Sequence, residues 1–224
     1  MPTVIRVQTA FDPTLPYDKP DLSAGATLRF AAADLIPGAV SSWTSTGSTA
    51  HTVAQTTTAS KPSRNIVSNN PAVVFDGTND KLTSSYSAPS TQTVYAVFKA
   101  TTASKGSAQP IVNFGGIYLG LGSTGKVIAA GSAGPVQTVG AITSGTLYAA
   151  CFTLNGAAAT VEINGENVSG TITTIGTLNA LDFANSGALY FGGEWEDAAF
   201  YPTVHGQTER TANLTKLRAW YSAT

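Results

Sequence analysis

Thirteen carboxylates in 224 residues is a sparse supply, so the two places where they gather are the first candidates for chemistry. One is Glu194-Trp195-Glu196-Asp197. On a strand, side chains alternate between faces, which puts Glu194 and Glu196 together and points Asp197 to the opposite side. Two carboxylates ~5 Å apart are what retaining glycoside hydrolysis uses, one as nucleophile and one as acid. An indole flanked by acids also suits saccharide binding: the ring stacks on the sugar and the carboxylates accept from its hydroxyls. The competing expectation is that Trp195 fills the core while the acids face water or a neighbouring subunit. The other cluster is Asp76, Asn79 and Asp80, within Asn69-Asn-Pro-Ala-Val-Val-Phe-Asp-Gly-Thr-Asn-Asp-Lys-Leu82. Calcium takes six to eight oxygens, of which these side chains supply three. Asp-Gly and Asn-Asp are equally the vocabulary of tight turns, where the side chain bonds its own backbone. The short span between Phe75 and Leu82 favours a strand corner over a calcium site, so no cofactor is expected.

Other reactive groups are isolated. Cys151 has no second cysteine to pair with and lies in the apolar run Leu147–Leu154, which reads as a packed core thiol. The two histidines, His51 and His205, give no metal spacing and no Ser-His-Asp pattern, and no phosphate-binding loop is present.

Bulk composition excludes several function classes. Hydrophobic residues are 42% and charged residues only 11%, against about 25% charged in an ordinary globular domain. Ser, Thr, Asn, Gln and Gly must therefore cover the surface. Net charge is -1 and the twelve Lys and Arg are scattered, which gives no electrostatic footprint for nucleic acid or an anionic membrane. No stretch approaches the ~20 apolar residues of a membrane span, and the N-terminus lacks the apolar core of a signal peptide.

The elements that must position these residues are almost all strands. Prolines at 2, 13, 16 and 20 predict an extended arm over residues 1–24, and the domain proper over residues 25–224. Short strand signals occur at 26–30, 40–43 and 72–75, with a polar loop and one weak strand over 44–70. Further signals follow at 91–98, 111–114, 116–119 and 126–129. Asn155-Gly156 and Asn164-Gly165 separate three apolar runs and predict an antiparallel meander, because Asn-Gly tolerates positive φ in hairpin turns. A further strand begins at Leu189-Tyr-Phe191 and ends with Glu194–Tyr201. Only the C-terminus has helical spacing, with Thr208 as cap and Leu214, Leu217 and Tyr221 on one face. Trp43 and Trp220 are expected in the core or beneath this helix. Many short strands with frequent turns predict an all-β sandwich or jelly roll.

Taken in order, these landmarks resemble the LamG-like, concanavalin A-like jelly-roll domains. The resemblance rests on Leu28-Arg-Phe30 with Ser42-Trp43, on Phe75-Asp-Gly-x-x-Asp80-x-Leu82, on Thr93–Phe98 and on the Val161–Gly165 hairpin. Glu209…Leu214…Leu217…Trp220-Tyr221 completes it. It implies two opposed antiparallel sheets, a concanavalin A-like jelly-roll β-sandwich with an extended N-terminal arm and a short C-terminal helix. Glucanases of this fold carry Glu-x-Asp-x-x-Glu on one strand. Here Glu196 stands at the middle position and Ala199 at the third, which argues against catalysis.

The resemblance, the low surface charge, the missing signal and the Pro-rich arm together suggest a non-enzymatic bacteriophage virion protein. It would be a capsid decoration or tail-associated protein, made in the host cytoplasm. Its expected partners are other virion proteins, further copies of itself as a homo-oligomer, and a host-surface glycan. The alternative is a lectin-like adhesion module that uses Trp195, Glu194, Glu196 and Asp197, or the loop Asp76–Asp80, for a cell-surface glycan.

Overall fold

Strand Gly192–Tyr201 is the axis of the structure, a computed structural model that describes Leu22 and residues 24–131, 134–172 and 177–223. Of the arm expected over residues 1–24, only Leu22 and Ala24 fall among the described residues. Along one edge the axis strand pairs antiparallel with Thr91–Ala100. Its other edge is shared. Gly192 to Trp195 pair with Asn70–Asp76, whereas Asp197 to Phe200 pair with Leu28–Ala31. The change of partner falls at Glu196, where the register opposite Thr91–Ala100 also slips by one residue. Glu196 is the extra residue of a β-bulge.

Outward from this axis the large sheet runs through Thr91–Ala100, Leu147–Asn155, Ala158–Ile163 and Glu166–Thr171. On the other side it runs through Asn70–Asp76, Ser63–Val67 and Gly38–Ala39. A five-stranded sheet faces it, in the order Val136–Ala141, Lys126–Ala130, Tyr118–Leu121, Gln109–Asn113, Asp182–Phe183. Val94, Ala96, Phe98, Phe152, Trp195 and Phe200 from the large sheet meet Ile111, Leu119 and Val127 from the smaller one. The other face of the large sheet is covered as well: Tyr95, Val97, Ala149, Cys151 and Ala199 lie beneath Leu214, Leu217 and Tyr221 of helix Gln207–Tyr221. The central strands are thus buried on both sides, which is why they read as continuous apolar runs rather than as alternation. Burial pushes the Cys151 thiol pKa well up and keeps it a core residue.

The expected meander is present, with Leu147–Asn155, Ala158–Ile163 and Glu166–Thr171 adjacent and antiparallel. Its two turns differ. Ile163 pairs with Glu166, so Asn164 and Gly165 form the loop, at φ 53° and 80°, as a type I′ turn demands. In the other hairpin Asn155 itself pairs with Ala158 and ends the strand, leaving Gly156-Ala157 as the loop with Gly156 at φ 58°.

Two details differ from the sequence expectation. The stretch 44–70 holds two strands, Thr52–Ala54 and Ser63–Val67, rather than one. Both lie at margins, where polar residues suffice and the apolar signal fades. At the helix, Gly206 occupies the cap position and Thr208 lies inside the first turn.

Candidate functional site

The strand that carries Glu194, Trp195, Glu196 and Asp197 places them differently from a simple alternation. Trp195 points into the sandwich and is 0% exposed, with Phe183 4.3 Å away, Trp43 6.3 Å away and Phe75 6.5 Å away between ring centroids. Such aromatic contacts add about 0.5–1.5 kcal/mol each beyond area burial. The expected indole platform for a sugar is therefore a core residue, with no face open to a ligand.

All three acids lie on the helix side of the sheet. Residues directly opposite in a ladder share a face, and Asp197 stands opposite Val97 whereas Glu194 stands opposite Lys99. The bulge at Glu196 resets the alternation, so Asp197 joins its neighbours on the side opposite to the one expected. Asp197 is 1% exposed and accepts from Arg29 through Nε at 3.2 Å and Nη2 at 2.6 Å. The Tyr221 hydroxyl, from the helix, donates to it at 3.0 Å. Burial pushes the Arg29 pKa down, but the charge and hydrogen bonds of Asp197 outweigh it and the net shift is upward. Glu194 pairs with Lys99 at 2.6 Å. Glu196 is 2% exposed, and its Oε2 has no hydrogen-bond partner among the described residues. Desolvation first, then the Glu194 charge, raises its pKa to about 8 against the pull of Lys99. The acids are consumed by packing and pairing. Asp197 stands under the helix, bonded to Tyr221, and the indole of Trp195 beside these acids is not exposed.

The Asp76 loop is a corner. The Asp76 carboxylate accepts from the backbone N–H of Thr78 at 2.8 Å, Asn79 at 3.0 Å and Asp80 at 3.1 Å. Asp80 reaches back to accept from the Asp76 N–H at 2.9 Å. Slight burial would raise the Asp76 pKa, but the three N–H donors outweigh it and lower it, with Lys105 adding to them. Asp80 moves upward, mainly by burial. These bonds engage one oxygen of each carboxylate, Asp76 Oδ1 and Asp80 Oδ2, in the turn itself, while Asn79 Oδ1 is buried with no hydrogen-bond partner among the described residues. No group of three His, Cys, Asp or Glu capable of holding a metal occurs among the described residues. Asp76→Ala is expected to cost about 1 kcal/mol, as loss of a capping side chain does, in a thermal melt that calcium leaves unchanged. A calcium-dependent rise in Tm for the native chain would overturn the corner assignment.

The histidines are structural. His205 Nδ1 shares a hydrogen bond of 2.9 Å with the Tyr95 hydroxyl beneath the helix. His51 Nε2 lies 2.8 Å from Ser84 Oγ, a pairing that the sequence did not reveal. Ser84 Oγ also lies 3.2 Å from the Leu181 carbonyl, and no carboxylate orients His51 among the described contacts. A nucleophilic triad needs that third group.

One concave feature was absent from the sequence candidates. It is an open groove of about 410 Å³ on the outer face of the five-stranded sheet. Tyr118, Ile128 and Gln137 come to it from three neighbouring strands. Ile128 stands opposite both Gly120 and Gln137, and Tyr118 opposite Ala130, which puts all of them on one face. A Cβ at Gly120 would lie 2.2 Å from the Gln109 carbonyl, so the neighbouring strand, irregular in register there, passes close against that position. Leu189 and Pro135 extend the apolar surface, while Ser107, Ser123, Thr124 and Gln137 supply hydroxyls and an amide. No charged residue lines the groove among the described residues. Tyr118 is half-buried, and desolvation raises its pKa. The signal available in the sequence was phase: Leu119 and Leu121 belong to the core, so Tyr118 must face outward.

No protein-family model matches the chain, and no characterised protein matches it in sequence. Solved structures do match in three dimensions. Domain 4 of AbnA, a GH43 extracellular arabinanase from Geobacillus stearothermophilus in complex with arabinotriose, superposes with TM-score 0.56 at 16% identity. The match covers 68% of this chain and 81% of that one. Trypanosoma rangeli sialidase in complex with sialic acid gives TM-score 0.61 at 12% identity over 90% of this chain, which spans about a third (34%) of the sialidase. The CBM40 of Ruminococcus gnavus IT-sialidase, bound to α2,3-sialyllactose, gives 0.50 at 13% identity over 64% of this chain and 95% of that chain. Likeness at these identities shows architecture, and together with the two facing sheets it makes this chain a concanavalin A-like jelly-roll β-sandwich with a short C-terminal helix.

Proposed function

We propose that this chain is a non-catalytic carbohydrate-binding module whose site is the groove around Tyr118, and that it takes a neutral saccharide. The observation that carries the reading is the combination on one exposed sheet face of a half-buried phenol, an apolar floor and an uncharged rim of hydroxyls and an amide. A pyranose or furanose ring offers an apolar face to the aromatic and hydroxyls to the rim. A mostly apolar concavity with a few polar groups, about 410 Å³ in volume, is of ordinary ligand-site size. With no cation in its lining among the described residues, the groove favours an uncharged sugar over a carboxylated one. The ligands of the structural neighbours, arabinotriose and sialylated sugars, support saccharide binding as a class. The groove chemistry favours the neutral kind.

Catalysis is not part of this reading, because Glu194 and Glu196 are paired or buried away from the groove. The virion role expected from the sequence draws no support from these neighbours, and glycan recognition takes its place as the leading reading.

Tyr118→Ala is expected to weaken binding to a neutral oligosaccharide by about tenfold or more, the loss typical of an aromatic anchor, while the melting curve moves little. Gln137→Ala should weaken it less. Glycan-array screening followed by calorimetry reads both. A flat array, or binding unaffected by either change, would remove the proposal.

A further inference from the structure

We infer that Asn164 is a site of spontaneous deamidation, and that the fold directs this modification to Asn164 while shielding the identical Asn155-Gly156 pair. The chain holds two Asn-Gly pairs and one Asp-Gly pair, Asp76-Gly77. All three belong to the sequence class in which the glycine backbone nitrogen can attack the preceding side-chain carbonyl, because glycine offers no side chain to hinder it. The tertiary structure separates them.

At Asn164-Gly165 both residues lie at the hairpin tip, with Asn164 exposed. The flanking residues Ile163 and Glu166 form the closing pair, so the Gly165 N–H carries no hydrogen bond among the described residues. Nor does any hydrogen bond restrain the Asn164 amide there. At Asn155-Gly156 the Gly156 N–H donates to the Ser90 carbonyl at 2.9 Å, and Asn155 is held in the ladder opposite Thr91 and Ala158. The nucleophile is committed. At Asp76-Gly77 the electrophile is committed instead: its carboxylate accepts three backbone N–H groups. That arrangement holds it ionised, in the form that does not lose hydroxide.

The step balances without any cofactor. The Gly165 nitrogen gives up its proton and bonds to Asn164 Cγ, closing a five-membered succinimide. The Cγ–N bond of the amide breaks, and ammonia departs with the proton. Water then opens the ring at either carbonyl, leaving Asp or isoaspartate at position 164. The isoaspartate product adds a backbone carbon to a two-residue loop whose φ values of 53° and 80° suit only a type I′ turn. Either product adds a negative charge between Glu162 and Glu166. Glu166 accepts from the backbone N–H groups of Val139 and Gly140 and so ties this hairpin to the edge strand that carries Gln137. The modification therefore falls beside a contact to the strand that carries Gln137.

The test is peptide mapping by mass spectrometry of the full chain, incubated at mildly alkaline pH both folded and in concentrated urea. In the folded protein the peptide with Asn164 should gain the mass of an NH2-to-OH exchange, with isoaspartate as a separately eluting product. It should do so about tenfold faster than the peptide with Asn155, the factor that one intact hydrogen bond imposes. In urea the two rates should converge. Equal rates in the folded protein, or a faster Asn155, would overturn the inference, as would an Asn164 that stays unchanged when folded but reacts in urea.

Discussion

Asp197→Ala should destabilise the fold by about 3–5 kcal/mol, the loss expected when one member of a buried ion pair is removed and the other charge is stranded. Arg29 is 2% exposed and its guanidinium is held by Asp197 through two hydrogen bonds, at 3.2 and 2.6 Å. The Tyr221 hydroxyl loses its acceptor at the same time. The damage therefore falls on three elements at once: the axis strand, Leu28–Ala31 and the helix. Urea unfolding of the variant at neutral pH measures the effect. Replacing both partners, as Arg29→Met with Asp197→Leu, should recover most of the loss, because apolar pairs of similar volume often equal a buried ion pair. A single variant within about 1 kcal/mol of the native protein would show that the pair contributes little.

Glu196→Gln should remove a pH dependence of stability and leave the protein more stable in mild alkali. The folded-state pKa of Glu196 is raised from the ordinary 4.5 to about 8 by desolvation and the Glu194 charge, with Asp197 adding and Lys99 opposing. Between those values the native state retains a proton that the unfolded chain has released. Stability therefore falls as pH rises through this window and levels off above the folded pKa. Integrated, the loss is on the order of 3–5 kcal/mol at full ionisation. Glutamine cannot ionise, so the variant should match the native chain near pH 4 and exceed it most above pH 8. Thermal melts across that range decide the matter. Parallel curves for the two proteins would show that Glu196 ionises at an ordinary pH.

Both effects stem from the one-residue slip at Glu196, which could not be read from Gly193-Glu-Trp-Glu-Asp-Ala-Ala-Phe200. Strict alternation gives Asp197 the face of Trp195. The bulge exists because the axis strand changes partner from Asn70–Asp76 to Leu28–Ala31 at that residue. Those partners lie more than a hundred residues away, so no local pattern announces the slip. Trp195 was legible only as one of two alternatives, since an indole beside acids suits a saccharide site and a core equally well. Its contacts with Trp43, Phe75 and Phe183 are what select the core.

The groove is not legible in the sequence for a related reason. Tyr118, Ile128 and Gln137 each look ordinary alone. They sit in short runs broken by glycines, and only the register of three strands sets them side by side.

What the sequence by itself determined is the class of fold and its punctuation. Apolar runs of β-branched and aromatic residues, with Asn-Gly and Asp-Gly between them, specify strands and turns through local backbone preference. The helical spacing of Leu214, Leu217 and Tyr221 specifies the terminal helix in the same way. The Asp76 corner belongs here too, because an Asx turn is made by a few neighbouring residues. The tertiary structure alone decided which acids are buried, which face the groove takes and which Asn-Gly pair is left exposed. Each of these depends on a partner supplied by a distant strand. Pairing between distant segments is set by the burial of the whole core rather than by any short stretch of chain.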